Sequence, residues 1–185
     1  MLEIKSRMNF AYQTYWLPAS KEGTSVYAFQ SACLQLRLAI EQVAFASLVA
    51  MRATCEEQWV AYRKENDFGR LLARLAKINP RFLPTSVKLL GRDERGMMRM
   101  IDGDVQLSRF DLEEMYGRLG NVLHARNPFK REMPLDDYRA RLRENTKRLR
   151  DYLGVHAAHF PDGSVILVDM LVLRDGIRSH RLREV

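Results

Sequence analysis

Arg118, Asn121 and His124 recur at intervals of three residues in one short segment. If this segment is helical, a pitch of about 100° per residue places the three side chains in a polar row about 9 Å long, beside an apolar stripe centred on Leu119. Histidine titrates near pH 7, and the forked donors of arginine suit phosphate oxygens. Such a row can combine proton transfer with the stabilisation of negative charge on a phosphate, with Asn121 orienting the phosphate or the imidazole.

A purely structural interpretation of the same row stays open. His124 falls in the last turn of the predicted helix, where the helix dipole favours a cationic side chain, and Arg118 can simply be solvated. Gly117 and Gly120 are predicted to lie beside the row on the outer face of the helix. Glycine costs about 1 kcal/mol relative to alanine inside a helix, so two of them predict a close approach to the backbone, most simply by a partner helix. We therefore predict a homodimer through the face that contains Gly117 and Gly120.

The segment from Arg118 to His124 resembles the motif of the HEPN superfamily, in which a few residues separate an arginine from a histidine. The sequences of residues 125–129 (Ala-Arg-Asn-Pro-Phe) and 36–41 (Leu-Arg-Leu-Ala-Ile-Glu) also resemble those of uncharacterised bacterial proteins of this type. The resemblance covers residues 24–153. The chain departs from the family in Leu119, because a polar residue is frequent directly after the arginine.

The resemblance implies a small helical domain that cuts RNA without a metal, at a site where Arg and His from two protomers meet. Arg118, Asn121 and His124 would be catalytic in such a ribonuclease, RNA-processing toxin or defence effector. Many family members bind without cutting, so the alternative is a non-catalytic module that binds nucleic acid or a partner in a toxin–antitoxin or antiviral system. The implied partners are RNA, a second copy of the chain, and an antitoxin or another defence protein.

The net charge of +7 is concentrated in one stretch of the sequence. From Arg126 to Arg150 there are nine Lys or Arg residues against four Asp or Glu residues. Such a strip is a candidate electrostatic footprint for nucleic acid, and Arg126, Lys130 and Arg131 are the predicted contacts. A solvated helix face has the same composition, so charge alone does not separate the two interpretations.

Arg37 and Glu41 form a second candidate cluster, four residues apart on an otherwise apolar helix. A pair of this kind is often a self-satisfied ion pair of little net value, but it could also support the His124 site if the two helices pack together. We expect no metal and no cofactor. His156 and His159 have the spacing of metal ligands on a helix, yet the following proline and glycine indicate a turn. His180, among arginines, is assigned to the tail.

These residues are predicted to lie in one domain, residues 1–185, of mainly α class. Residues 24–153 would form a bundle of four to five helices, and residues 154–185 a small β-hairpin and tail. The predicted helices are a buried one over about 24–57, an amphipathic one from Gly69 to Asn79-Pro80, one capped by Asp111 with Glu114, and one from Pro134 to Gly154.

Several segments are not predicted to be regular. Residues 1–23 contain a loop at Leu17-Pro18, and residues 81–106 are interpreted as an irregular connection that can include a small hairpin, with Asp102-Gly103 as a turn signal. No run of 18 uninterrupted apolar residues occurs and no signal-peptide pattern is found, so we expect a cytoplasmic protein without a membrane span. Cys33 and Cys55 would lie about 33 Å apart on one helix, too far to bridge.

Overall fold

A computed structural model of the chain describes residues 1–15, 22–50, 65, 67–94, 96, 98–123, 135–171 and 177–182. Within these ranges there are five helices and five strands. The helices are α1 (Leu2–Tyr15), α2 (Glu22–Ala50), α3 (Phe68–Ile78), α4 (Arg109–Leu123) and α5 (Leu135–Leu153). The strands are β1 (Thr85–Arg92), β2 (Met98–Asp102), β3 (Val155–His159), β4 (Val165–Asp169) and β5 (Arg178–Leu182). The predicted mainly helical class is confirmed.

Helix α2 is the centre of the core, as its composition predicts. It contacts all four of the other described helices. Leu36, Ala39 and Ile40 on α2 are fully buried, because a helix that is apolar nearly all round must be covered on several sides. Cys33 is also buried there as a free thiol, and burial raises its pKa to about 12. Cys55 lies outside the described residues.

By length and composition alone, the segment Tyr27–Ala50 of α2 is apolar enough to cross a membrane. The central helix of a folded domain meets the same two criteria. In this structure a little under half of the segment is buried against the rest of the chain. The expectation that the chain has no membrane span therefore stays a prediction.

Helix α1 is not predicted by the sequence analysis, which assigns residues 1–23 to mixed structure with a loop. Its buried residues are Ile4, Met8 and Ala11, and their spacing of four and three residues is that of a helix face. They pack against α2. Exposed apolar residues such as Leu2 and Phe10 weaken the amphipathic pattern, so the helix is stabilised by packing rather than by a strong local signal.

The N-cap of helix α4 lies three residues before the predicted one. Ser108 is the N-cap: the backbone N–H of Asp111 donates to Ser108 Oγ over 3.2 Å, and the backbone N–H of Ser108 donates to Asp111 Oδ2 over 2.9 Å. This is a capping box, with Asp111 as its acidic member rather than its N-cap. Hydrogen bonds from Ser108 lower the pKa of the Asp111 carboxyl. The pairing of Asp111 as N-cap with Glu114 is thus wrong.

Helix α3 begins at Phe68, where Asp67 is the N-cap and accepts a hydrogen bond of 2.8 Å from the backbone N–H of Arg70. The helix ends at Ile78, directly before Asn79-Pro80, as the sequence predicts. Helix α5 likewise ends directly before Gly154. The predicted start of α5 at Pro134 lies outside the described residues.

The β structure is larger than the predicted C-terminal hairpin. One antiparallel sheet has the order β2-β1-β3-β4-β5, so it joins residues 85–102 to residues 155–182. The connection predicted to be irregular contains the β1–β2 hairpin, whose turn is at Gly96 rather than at Asp102-Gly103. Strand β3 occupies residues that were interpreted as a turn. The turn itself follows, with Gly163 at a positive φ of 79° between β3 and β4.

The side of the sheet that faces the helices contains a buried histidine. His156 on β3 is 1% exposed, and burial lowers its pKa to about 4. Because the unfolded chain takes up this proton near pH 6.5, the folded state loses stability as the pH falls from about 6.5 to about 4, and the loss then levels off. The full loss is about 3 kcal/mol.

We predict that His156→Gln flattens this part of the pH profile of stability. Urea denaturation of both proteins between pH 7.5 and pH 4 measures the free energy of unfolding. The difference between wild type and variant isolates His156, because carboxyl groups such as Asp111 titrate in both proteins. Parallel profiles over that range would contradict a buried neutral His156.

Candidate functional site

Helices α2, α4 and α5 meet around a groove of about 110 Å³. Its polar lining side chains come from α4 and α5: Arg118, Asn121, Arg141 and Asn145. Phe29 and Cys33 of α2 contribute to its apolar lining. The structure thus brings together Arg118 and Asn121, two members of the predicted polar row. It adds Arg141 and Asn145 of α5, which were not predicted as site residues. Most of the lining surface is apolar and Asn145 is buried, so Arg118, Asn121 and Arg141 are the exposed donors that can reach an anionic group.

The Arg118 side chain is half exposed and forms an ion pair with Glu114, one turn earlier in α4. Exposed pairs of this kind contribute at most about 1 kcal/mol, because water screens them. A phosphate with two oxygens in reach is a stronger partner for a guanidinium than one exposed carboxylate. The pair therefore places Arg118 at the groove without holding it away from an anion.

Four other predicted site residues lie outside the described part of the chain. These are His124, Arg126, Lys130 and Arg131. The description of α4 ends at Leu123, so His124 is the next residue along the chain. The grouping of His124 with Arg118 and Asn121, and the phosphate contacts of the three basic residues, stay predictions.

Arg37 and Glu41 do face the helix that contains Arg118, and Tyr116 of α4 connects them. Arg37 Nη2 donates to the Tyr116 hydroxyl oxygen over 2.7 Å, and the Tyr116 hydroxyl donates to Glu41 Oε1 over 2.6 Å. The Arg37 guanidinium also lies 4.0 Å from the centre of the Tyr116 ring. Burial, together with the hydrogen bond to Glu41, raises the pKa of Tyr116, so the hydroxyl keeps its proton and remains the donor.

This network explains Gly120 and corrects its predicted position. A Cβ at residue 120 would lie 2.6 Å from Arg37 Nη1, so the glycine makes room for the guanidinium. Gly120 is buried, whereas Gly117 is exposed and has nothing near its open side. The expectation that both glycines lie on an outer face is wrong for Gly120, because α2 of the same chain makes the predicted close approach. A dimer interface that includes Gly120 is excluded for the same reason.

Tyr116 is the supporting residue that the sequence analysis missed. Its ring belongs to the apolar stripe of α4 and stacks on Phe68 at a centroid distance of 4.2 Å. The available signal was chemical: a half-buried tyrosine hydroxyl needs a hydrogen-bond partner, and Arg37 and Glu41 were polar residues on an otherwise apolar helix. The network fixes α4 against α2 within one turn of Arg118 and Asn121.

The basic strip of α5 is partly neutralised within the chain. Arg148 pairs with Asp111 of α4 at 3.1 Å, and Lys147 pairs with Asp151 at 2.9 Å. Arg141, in contrast, is exposed and lines the groove. Within the described part of the strip, Arg141 thus offers a cation to a ligand in the groove.

The other three histidines lie on strands of the sheet. His156 and His159 lie on β3, and because side chains alternate along a strand, a separation of three residues places them on opposite faces. No cluster of three or more metal-binding side chains occurs among the described residues. His180, assigned to the tail, is an exposed residue of β5.

No protein-family model, curated protein or solved structure matches this chain. The resemblance to HEPN proteins therefore rests on the quoted residues of the sequence. The case for a functional site rests on the groove and on the network beside it.

The two glycines of α4 allow a matched test of the network. Gly117→Ala fills open space and should raise the free energy of unfolding by about 0.5–1 kcal/mol, the difference in helix propensity. Gly120→Ala should lose most of this gain or destabilise the protein, because Arg37 must leave Tyr116. In an Arg37→Met background, Gly120→Ala should recover the gain. Urea denaturation of wild type, the three single variants and the double variant Arg37→Met/Gly120→Ala measures these free energies of unfolding. Equal gains at both glycines in the wild-type background would refute the role of Gly120.

Proposed function

We propose that this chain acts on RNA as a metal-independent endoribonuclease of the HEPN type. The observation that supports the proposal best is the groove where Arg118 and Asn121 face Arg141 and Asn145. Arg118 and Asn121 belong to the quoted motif, and the residues opposite them come from the most basic helix of the chain. A groove with two arginines and two amides suits the phosphate and base edges of a single RNA strand.

In the proposed mechanism the ribose 2′-hydroxyl attacks the adjacent phosphorus, and the bond from phosphorus to the 5′-oxygen breaks. His124 would accept the proton of the 2′-hydroxyl or donate one to the leaving 5′-oxygen. Arg118 would stabilise the charge on the phosphorane oxygens, and Asn121 would orient the phosphate. The products would be a 2′,3′-cyclic phosphate and a 5′-hydroxyl end. Arg126, Lys130 and Arg131 would contact flanking phosphates.

Arg37 and Glu41 have a supporting role in this proposal. They do not line the groove, and they act through Tyr116 on the position of α4. A displacement of about 1 Å in a catalytic group can cost about 100-fold in rate. Loss of the network should therefore lower the rate of cleavage more than it lowers the affinity for RNA.

The first test compares cleavage of a mixed RNA pool in EDTA by wild type, His124→Ala, Arg118→Ala and Arg109→Ala. We expect a loss of at least about 100-fold for the first two variants. Arg109→Ala is the matched control. Arg109 pairs with Glu113 as Arg118 pairs with Glu114, and both pairs lie on α4, but Arg109 does not line the groove. The control should cleave like wild type. Cleavage by all four proteins, or by none, would overturn the assignment of the site.

The second candidate function is a non-catalytic module that binds nucleic acid or a protein partner in a toxin–antitoxin or antiviral system of the cytoplasm. The exposed donors of the groove favour it, because Arg118, Asn121 and Arg141 can bind a phosphate and binding alone requires no acid or base. This function predicts RNA binding that weakens steeply with salt and leaves RNA length unchanged. Binding would then be weakened by Arg141→Ala and Arg118→Ala, and spared by Arg109→Ala.

We further propose that the protein is a homodimer, through α2 rather than through Gly120. Tyr27, Leu34, Phe45 and Val49 are exposed by 73%, 42%, 42% and 60%. At about 100° per residue they fall within an arc of about 60°, in a row about 33 Å long. An exposed apolar row of this length on a central helix is typical of a surface covered by another chain.

The expected result is a dimer at micromolar concentration that dissociates in the double variant Leu34→Glu/Phe45→Glu. Analytical ultracentrifugation measures the molecular mass. The control is Phe110→Glu, which replaces a residue that is 66% exposed on α4. A wild-type monomer would exclude the dimer, and dissociation by the control alone would place the interface elsewhere.

A further inference from the structure

A second cavity, of about 270 Å³, lies between the C-terminal half of α2 and the sheet. Its walls are mostly apolar, with contributions from Val43, Ala46, Ala50, Phe82, Ile166 and Val168. A water molecule takes up about 30 Å³ in the liquid, so this space is large enough for an organic molecule. None of the residues assigned to the proposed ribonuclease site lines it.

His156 contributes the one buried imidazole of this wall among the described residues. Its Nδ1 lies 2.8 Å from the backbone carbonyl oxygen of Leu153. Because a carbonyl can only accept, Nδ1 must carry the hydrogen, and the tautomer is fixed. The neighbouring apolar walls keep the ring neutral. The other nitrogen, Nε2, therefore has a free lone pair and is a hydrogen-bond acceptor.

Within the described part of the chain, no hydrogen bond reaches His156 Nε2. The Ser47 hydroxyl, which also lines the cavity, already has carbonyl acceptors in Val43 at 3.1 Å and Phe82 at 2.8 Å. The cavity thus combines mostly apolar walls with a hydrogen-bond acceptor at His156 Nε2. The positive charge of the Met1 α-amino group, which also lies at this cavity, lowers the pKa of His156 further and so helps to keep the ring neutral.

We propose that this cavity binds a neutral, mostly apolar ring compound with a single hydrogen-bond donor, of the indole or phenol class, whose N–H or O–H donates to His156 Nε2. The apolar walls disfavour a charged ligand, and the fixed tautomer favours a donor over an acceptor. The volume accommodates one or two fused rings. This inference is independent of the proposed ribonuclease activity.

The test uses indole and benzofuran as probes, because the two have nearly the same shape and only indole has an N–H. Titration calorimetry should show saturable binding of indole that is about 3–10-fold tighter than that of benzofuran, the contribution of one neutral hydrogen bond. Nitrogen NMR of the full chain should show that indole shifts the Nε2 resonance of His156 while Nδ1 changes little. Absence of saturable indole binding up to millimolar concentration would overturn the proposal, and so would an unchanged Nε2 resonance.

Two variants test the hydrogen-bond acceptor of His156 and the volume of the cavity independently. His156→Leu keeps an apolar wall and should abolish the preference for indole, so that both probes bind alike. Ala46→Phe fills the cavity from α2 and should abolish binding of both probes. Circular dichroism checks that each variant is folded, and the NMR experiment on wild type stands even if one variant is not. A preference for indole that survives His156→Leu would refute the role of this acceptor.

Discussion

A helix of 29 residues with apolar side chains on nearly every side must be covered by other elements, and α2 imposes this constraint on the whole chain. Helices α1, α3, α4 and α5 all pack against it. The groove at Phe29 and Cys33 and the cavity at Val43 to Ala50 form where this cover is incomplete. They lie along one helix at a separation of about 15 Å or more, with the Arg37–Glu41 pair between them.

The polar interruption of α2 at Arg37 and Glu41 is the second determinant of the site. Two charges in a partly buried position are stabilising only if their hydrogen-bonding groups find partners. Tyr116 provides a partner to both, and Gly120 leaves the space that the guanidinium occupies. The same contacts set the rotation of α4 about its axis, which decides that Arg118 and Asn121 face α5.

The local patterns of the sequence predict four of the five described helices and little of the sheet. The core role of α2 and the end of α3 at Asn79-Pro80 follow from composition and backbone sterics, which act over a few residues. The sheet depends on the pairing of Thr85 and Ser86 with Ala157 and His156, and no local signal reports a pairing over that separation. Ser108 was overlooked as a cap because Asp111 and Glu114 offered a second capping-box pattern three residues later.

The candidate site is likewise predicted where the signal is local and missed where it depends on residues far apart in the sequence. The spacing of Arg118 and Asn121 predicts their common face, and both line one groove in the structure. The apolar ring of Tyr116 is typical of a core residue, and the role of its hydroxyl depends on a contact with a residue 79 positions away. Gly120 was interpreted as an outer residue because helix periodicity gives the angle of a side chain but not the neighbour that it meets.

The pairing of β1 with β3 also has a consequence for the order of folding. It closes a loop of about 70 residues that contains α4 and α5, and strands β3 to β5 all follow these helices in the sequence. Closing such a loop costs chain entropy, which compact helices inside the loop reduce. Long-range pairing is slow for this reason. We therefore expect the helices to dock on α2 first, so that a chain emerging from the ribosome holds its helical groove before it has a sheet.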